Sequence, residues 1–162
     1  MAEAVGMLNE AFRRKNLVPN LNWYFAGQFA RLTELAKYKA EAEAAGIQVT
    51  SRWLGQDPST GYAGGSDEAG AEFARRDLED ITEAGGFLFF AEDPTTGIPR
   101  GGRHVEFGFA LATGKIIAVV GLKENVFHLL LPDRCFFATF AKWLKHEAAK
   151  VDGAQEAEHG VH

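Results

Sequence analysis

The chain has a single cysteine, Cys135, among 162 residues. No intrachain disulfide framework or cysteine-based zinc cluster can form, and a reducing, cytoplasmic setting is expected. Apolar runs are short. None approaches the ~18 residues of a membrane span, so no membrane partner is expected. The first twenty residues lack a basic start followed by an apolar block, which excludes a signal-peptide reading. Positive charge is also scarce: 17 Lys and Arg stand against 22 Asp and Glu, for a formal charge of -5. That balance disfavours broad binding to polymeric nucleic acid, though not a small phosphate pocket. No histidine pair has metal-ligand spacing. Neither a P-loop nor the three-glycine dinucleotide fingerprint is present. No metal and no cofactor are therefore expected.

What the chain does have is apolar residues, 46% of the total, thirteen of them phenylalanine. That suits one domain with an aromatic-rich core. Residues 1–20 carry Val5, Leu8 and Phe12 at helical spacing and read as a helical extension. Residues 21–150 read as a single α/β domain, and 151–162 as a polar, disordered tail. Within the domain, strands are expected at 22–26, 47–53, 87–91, 116–121 and 126–130. Helices are expected at 28–45, 72–84, about 103–113 and 136–150. A strand, a long helix and a second strand imply a right-handed crossover. The glycine-rich stretch 55–70 reads as a loop. Together these elements make a doubly wound sheet of five mostly parallel strands with helices on both faces.

Ligands of such sheets bind beyond the carboxyl ends of the strands. The stretch Arg100-Gly101-Gly102-Arg103-His104-Val105-Glu106-Phe107-Gly108-Phe109-Ala110-Leu111 stands at such an end. Arginines around two glycines at a helix start suit an anion, through backbone N–H groups, the helix dipole and a guanidinium. The plain alternative is solvated charge on an ordinary turn. Glu106 reads two ways. An acid near a helix N-terminus is favoured by the dipole, and spacing alone supports that account. Its apolar neighbours instead imply a buried carboxylate, which persists only with a partner or a function. Trp53, following Arg52 before a glycine loop, fits either the core or a stacking surface for a base.

Three segments carry a resemblance. They are Tyr24-Phe25-Ala26-Gly27 after the first strand, Arg76-Asp77-Leu78 in a helix, and His104-Val105-Glu106-Phe107-Gly108-Phe109-Ala110-Leu111 followed by Gly114-Lys115. In this order they resemble the nucleoside 2-deoxyribosyltransferase family, which includes 2'-deoxynucleoside 5'-monophosphate N-hydrolases and pyrimidine-nucleotide hydrolases. The resemblance covers roughly residues 22 to 130. It implies a flavodoxin-like fold, a glutamate nucleophile at Glu106, and an aspartate at Asp77 acting near the sugar and the departing base. It also implies a positioning tyrosine at Tyr24 and a close approach of chain to ligand at Gly27. Gln28 departs from the family's proline. Gly85-Gly86 stands where the transferases usually carry an aspartate. Arg100 stands where they often have an acid, which tilts the expected substrate towards a 5'-phosphate.

The expected activity is therefore cleavage of the N-glycosidic bond of a (2'-deoxy)nucleoside or its 5'-monophosphate, by hydrolysis or by base exchange. Glu106, Asp77 and Tyr24 are the expected catalytic residues. Gly27, Gln28, Arg52, Trp53, Arg100, Gly101, Gly102 and Arg103 are the expected substrate contacts. The resemblance also implies a homodimer or higher homo-oligomer. The rival expectation is a nucleotide-binding module or sensor on the same fold, without catalysis.

Overall fold

The computed structural model describes residues 21–57, 66–93 and 101–159. Four strands form one parallel sheet, in spatial order β1 (Trp23–Ala26), β2 (Gly86–Phe90), β3 (Ile116–Val120) and β4 (Phe136–Phe137). Helices α1 (Leu32–Ala44), α2 (Asp67–Glu83), α3 (Gly102–Ala112) and α4 (Phe140–His159) connect and cover it. The α/β class expected from the sequence is the class observed. The expected extension at 1–20, residues 58–65 of the 55–70 loop, and Arg100 lie outside the described residues.

Among the described residues the strand count is four, not five, for two separate reasons. The expected second strand, 47–53, shrinks to one parallel bridge between Val49 and Trp23, on the β1 edge that β2 leaves open. Beyond it, side chains replace the ladder. The Phe25 N–H donates to Ser51 Oγ at 2.6 Å, and the Phe25 carbonyl accepts from Ser51 Oγ and from Trp53 Nε1. Backbone pairing thus serves only Trp23 on this edge, the Phe25 groups are satisfied by side chains, and the chain turns into a 3-10 helix at Arg52–Gly55. The expected fifth strand, 126–130, is also a 3-10 helix, Val126–Leu130. Asn125 Oδ1 accepts from the N–H groups of Phe127 and His128, an Asx cap that starts a turn rather than a strand. Only His128 points inward there, while Val126, Phe127, Leu129 and Leu130 are 51–70% exposed. The last strand instead comes from Phe136–Phe137. The last helix begins later than expected and runs to His159, so it takes in most of the expected tail, with Val151 buried.

β1 and β2 are buried along their whole length, which accounts for their continuous apolar sequence. Alternation sorts their side chains onto two faces. On one face Trp23 and Phe25 pack edge-on against Trp143 of α4, and Tyr38 of α1 stacks on Phe140 at 4.2 Å. On the other, Tyr24 stacks on Phe87, and Phe87 and Phe89 meet Phe107 of α3. Helices thus cover both faces. Helices α2 and α3 pack against each other and against β1 on the Tyr24 face. No described helix is long and apolar enough to cross a membrane.

Gly85-Gly86, where the resembled transferases carry an acid, is explained by packing. A Cβ at Gly86 would lie 2.5–2.8 Å from the Trp23 indole ring, which is itself locked against Trp143. A ring held on both sides cannot give way. Gly86→Ala should therefore destabilise the fold by about 1–3 kcal/mol through overpacking, measurable as a lower midpoint in urea unfolding.

Candidate active site

Three elements bring the three expected catalytic residues together on the Tyr24 face. Tyr24 is the second residue of β1, and alternation turns its side chain away from the Trp23 and Phe25 cluster. Asp77 lies in the middle of α2, whose start is set by Ser66, an N-cap accepting from the Ala69 N–H. Glu106 lies just over one turn into α3, which begins without a side-chain cap at Gly101. Its neighbours Phe107 and Ala110 are buried against the sheet, which draws the carboxylate inward with them.

The Tyr24 ring is fully buried, and its hydroxyl falls short of a complete hydrogen bond to any neighbour. It is still near enough to both carboxylates to lower their pKa values. Burial, then the charges of Glu106, Asp77 and Asp80, push its own pKa well up, so it remains a neutral phenol. Burial, reinforced by the charge of Asp77, pushes Glu106 up to about 8, against smaller opposing effects of Tyr24 and Arg103. Burial, reinforced by Asp80, pushes Asp77 up to about 6, with Tyr24, Arg52 and Arg76 opposing. The two acids titrate as a coupled pair. Between about pH 6 and pH 8 the pair holds one proton and one negative charge. Such a pair can offer a nucleophile and an acid at once.

The expected substrate contacts divide. Arg52 is spent on α2: its Nε donates to Asp80 at 2.6 Å, its Nη2 to Glu79 and the Arg76 carbonyl, and its backbone N–H to Asp80. Asp80 is buried, one turn beyond Asp77. Arg52 thus reaches the site as charge rather than as a free hand. Trp53 is a core residue, with its indole N–H donated to the Phe25 carbonyl, and no stacking surface is left in the open. Gly27 packs under α1: a Cβ there would lie 2.4 Å from the Leu35 Cδ1 methyl, which would have to move aside. Gln28 precedes a short 3-10 turn, its carbonyl accepting from the Arg31 N–H. Gly101 and Gly102 form the exposed start of α3.

Arg103, expected with Arg100 on an open anion site, is 4% exposed and turned into the protein. Its Nη2 donates to Glu124 at 2.6 Å, and its Nε and Nη1 are buried without partners among the described residues. The sequence reading missed Asp80 and Glu124. Asp80 had a signal, an acid three residues after Asp77 on a helix. Glu124 follows β3 at its carboxyl end, among other candidates and with nothing to single it out.

No protein-family model matches the chain, and no curated protein does. Among solved structures it is similar to the CMP N-glycosidase BcmB of Clostridium botulinum, at 18% sequence identity and a TM-score of 0.45, over 77% of this chain and 97% of that one.

The carboxylate pair has a cost in stability. A carboxyl whose folded pKa is raised stabilises the fold only while protonated, so stability falls as pH rises from the unfolded value, near 4.5, through about 8. Glu106→Gln removes that penalty without changing shape. The variant should be more stable than the parent at pH 8.5, where the pair has lost its proton, by roughly 2 kcal/mol or more. The difference should vanish near pH 4.5. Thermal unfolding at both pH values checks the sign.

Proposed function

We propose that this chain cleaves the N-glycosidic bond of a (2'-deoxy)nucleoside or its 5'-monophosphate, with Glu106 as nucleophile. The observation that carries the reading is the carboxylate pair of Glu106 and Asp77, brought from two helices to the buried Tyr24 hydroxyl and raised by burial. A solvated helix-dipole acid would have its pKa held down, not raised.

In this reading the C1'–N bond breaks as a bond forms between C1' and a Glu106 oxygen. The bonding electrons leave with the base, which takes a proton from Asp77. Water then attacks C1', returns a proton to Asp77 and frees Glu106; a second base in place of water gives exchange. The resting pair shares a single proton between the two carboxyls. Positive charge developing on the sugar favours the arrangement with Glu106 ionised and Asp77 protonated. The productive state is thus reached without proton exchange with solvent. Tyr24 supports either carboxylate. Gly101 and Gly102, with Arg100 before them, are the proposed contacts for a 5'-hydroxyl or 5'-phosphate. Arg103 is withdrawn from that role by its burial.

A homo-oligomer is part of the proposal. Val105, Leu122, Val126, Phe127, Leu129 and Leu130 are 51–70% exposed, on α3 beside Glu106 and on the segment after β3. Clustered apolar exposure of this kind marks an association surface.

Incubation with deoxynucleosides and their 5'-monophosphates, with and without a second free base, separates the outcomes. Release of base without exchange means hydrolysis, and exchange means transfer. Glu106→Ala should lower base release by roughly 10³-fold or more while the protein stays folded. Near-normal activity in that variant, or nucleotide binding with no release in the parent, would reject the reading in favour of a binding module. The pH profile of kcat/KM should be a bell. Activity falls below about 6, as the pair gains a second proton, and above about 8, as it loses its only one. A profile flat from pH 5 to 9 would exclude a shared proton.

A further inference from the structure

Behind the carboxylate pair lies a second polar cluster, centred on Glu124. Its side chain is 5% exposed. Its Oε1 accepts from Arg103 Nη2 at 2.6 Å and from His104 Nε2 at 3.1 Å, and its Oε2 from the Glu92 backbone N–H at 2.6 Å. One carboxylate therefore ties together the exit of β2, the first turn of α3 and the segment after β3.

The protons of the cluster follow from its donors and acceptors. Asn125 Oδ1 is occupied by the Phe127 and His128 N–H groups, so its Nδ2 faces His104 Nδ1 at 3.2 Å and donates. His104 then carries its proton on Nε2 and gives it to Glu124. His128 Nδ1 accepts from the Glu124 backbone N–H, so its proton is also on Nε2. Burial lowers the pKa of both histidines and keeps them neutral. The charges left in the cluster are Arg103 and Glu124.

Arg103 precedes Glu106 by three residues on α3, a spacing that puts two side chains side by side. Its charge favours the ionised form of Glu106. The guanidinium lies 5.7 Å from the centroid of the Phe89 ring, with two of its nitrogens unpaired. A buried guanidinium so poorly supplied with acceptors stays inside only while a counter-charge holds it. Glu124 is that counter-charge.

We propose that Glu124 is a positioning residue of the site: by pinning Arg103 in the interior, it keeps a fixed positive charge beside Glu106. Its relevance to catalysis rests on Glu106 being the nucleophile, whereas the pinning itself does not. The groups that bear on Glu106 are Tyr24 from β1, Asp77 from α2 and Arg103 from its own helix. Asp80, Arg52 and Arg76 act on Asp77. Arg103 is thus the charge that opposes Asp77 at Glu106.

The test follows the Glu106 carboxyl by carbon-13 NMR through a pH titration of the free protein, assigned by its loss in Glu106→Gln. In Arg103→Met the midpoint should rise by about half a unit or more. Glu124→Gln should give the same rise, because the released guanidinium moves out to water. The double variant Arg103→Met with Glu124→Gln should match Arg103→Met alone, since Glu124 then has nothing to hold. Glu124→Asp keeps the charge but withdraws it by one methylene. Its midpoint should fall between parent and Arg103→Met, and it carries the test if Glu124→Gln does not fold. With a cleavable substrate, Glu124→Gln should lower kcat roughly tenfold with KM little changed. An unchanged or lowered midpoint in Glu124→Gln, a parental midpoint in Glu124→Asp, or additive shifts in the double variant would overturn the proposal. The expected midpoints without base release from any substrate would leave the pinning standing and reject the proposed function. Base release with unmoved midpoints would do the reverse.

Discussion

A hydroxyl group placed on a sheet buried on both faces is the constraint from which the site follows. β1 and β2 are covered by α1 and α4 on one side and by α2 and α3 on the other, and nearly every inward side chain is apolar. Tyr24 brings an oxygen into that interior without an acceptor or donor fully aligned to it. Carboxylates drawn towards it from α2 and α3 lose water, and desolvation is the largest cause of the shift at both Asp77 and Glu106. The strained protonation of the pair is therefore a product of packing. It would disappear if the helices were moved apart far enough to admit solvent.

Two ion pairs flank the acids and make them unequal. Beside Asp77, Arg52 is bound to Asp80 and Glu79, so a cation and two further acids share that side. Beside Glu106, Arg103 is bound to Glu124, which lies on the far side of the guanidinium as seen along the network. Each helix thus carries a charged residue three positions from its site acid: a carboxylate after Asp77, a guanidinium before Glu106. Local charge alone would then give Asp77 the higher pKa, yet Glu106 has it. Greater burial at Glu106, together with the charge of Asp77 itself, outweighs the arginine.

The α/β class and the positions of β1, β2 and β3 along the chain were legible in the sequence. Continuous apolar runs gave β1, β2 and β3, and helical spacing gave α1, α2 and α3, within a few residues. The joining of Tyr24, Asp77 and Glu106 came from the order of short motifs. What was hidden depended on side chains acting as backbone. Nothing in Ile47-Gln48-Val49-Thr50-Ser51-Arg52-Trp53 announces that Ser51 and Trp53 will serve the edge of β1 with their own polar atoms. Nothing in Val126-Phe127-His128-Leu129-Leu130 announces that Asn125 will cap it into a turn with its apolar residues outward. The pairing of charges was equally hidden: Arg52 and Arg103 both looked like ligand contacts, and both are committed to carboxylates, Arg103 in the interior and Arg52 at the surface.

Those commitments reshape how a substrate could be recognised. Arg103 is closed off by burial and by Glu124, while Arg52, at the surface, is tied to Asp80 and Glu79. Both act on the two acids through charge: Arg103 favours ionised Glu106, and Arg52 favours ionised Asp77. Under the proposed function, shape recognition would then fall to other groups, for which the exposed Gly101 and Gly102 at the start of α3 are the candidates. Chemistry and recognition would be separated along one helix, with Arg103 and Glu106 acting on the bond and the glycines before them on what is held there.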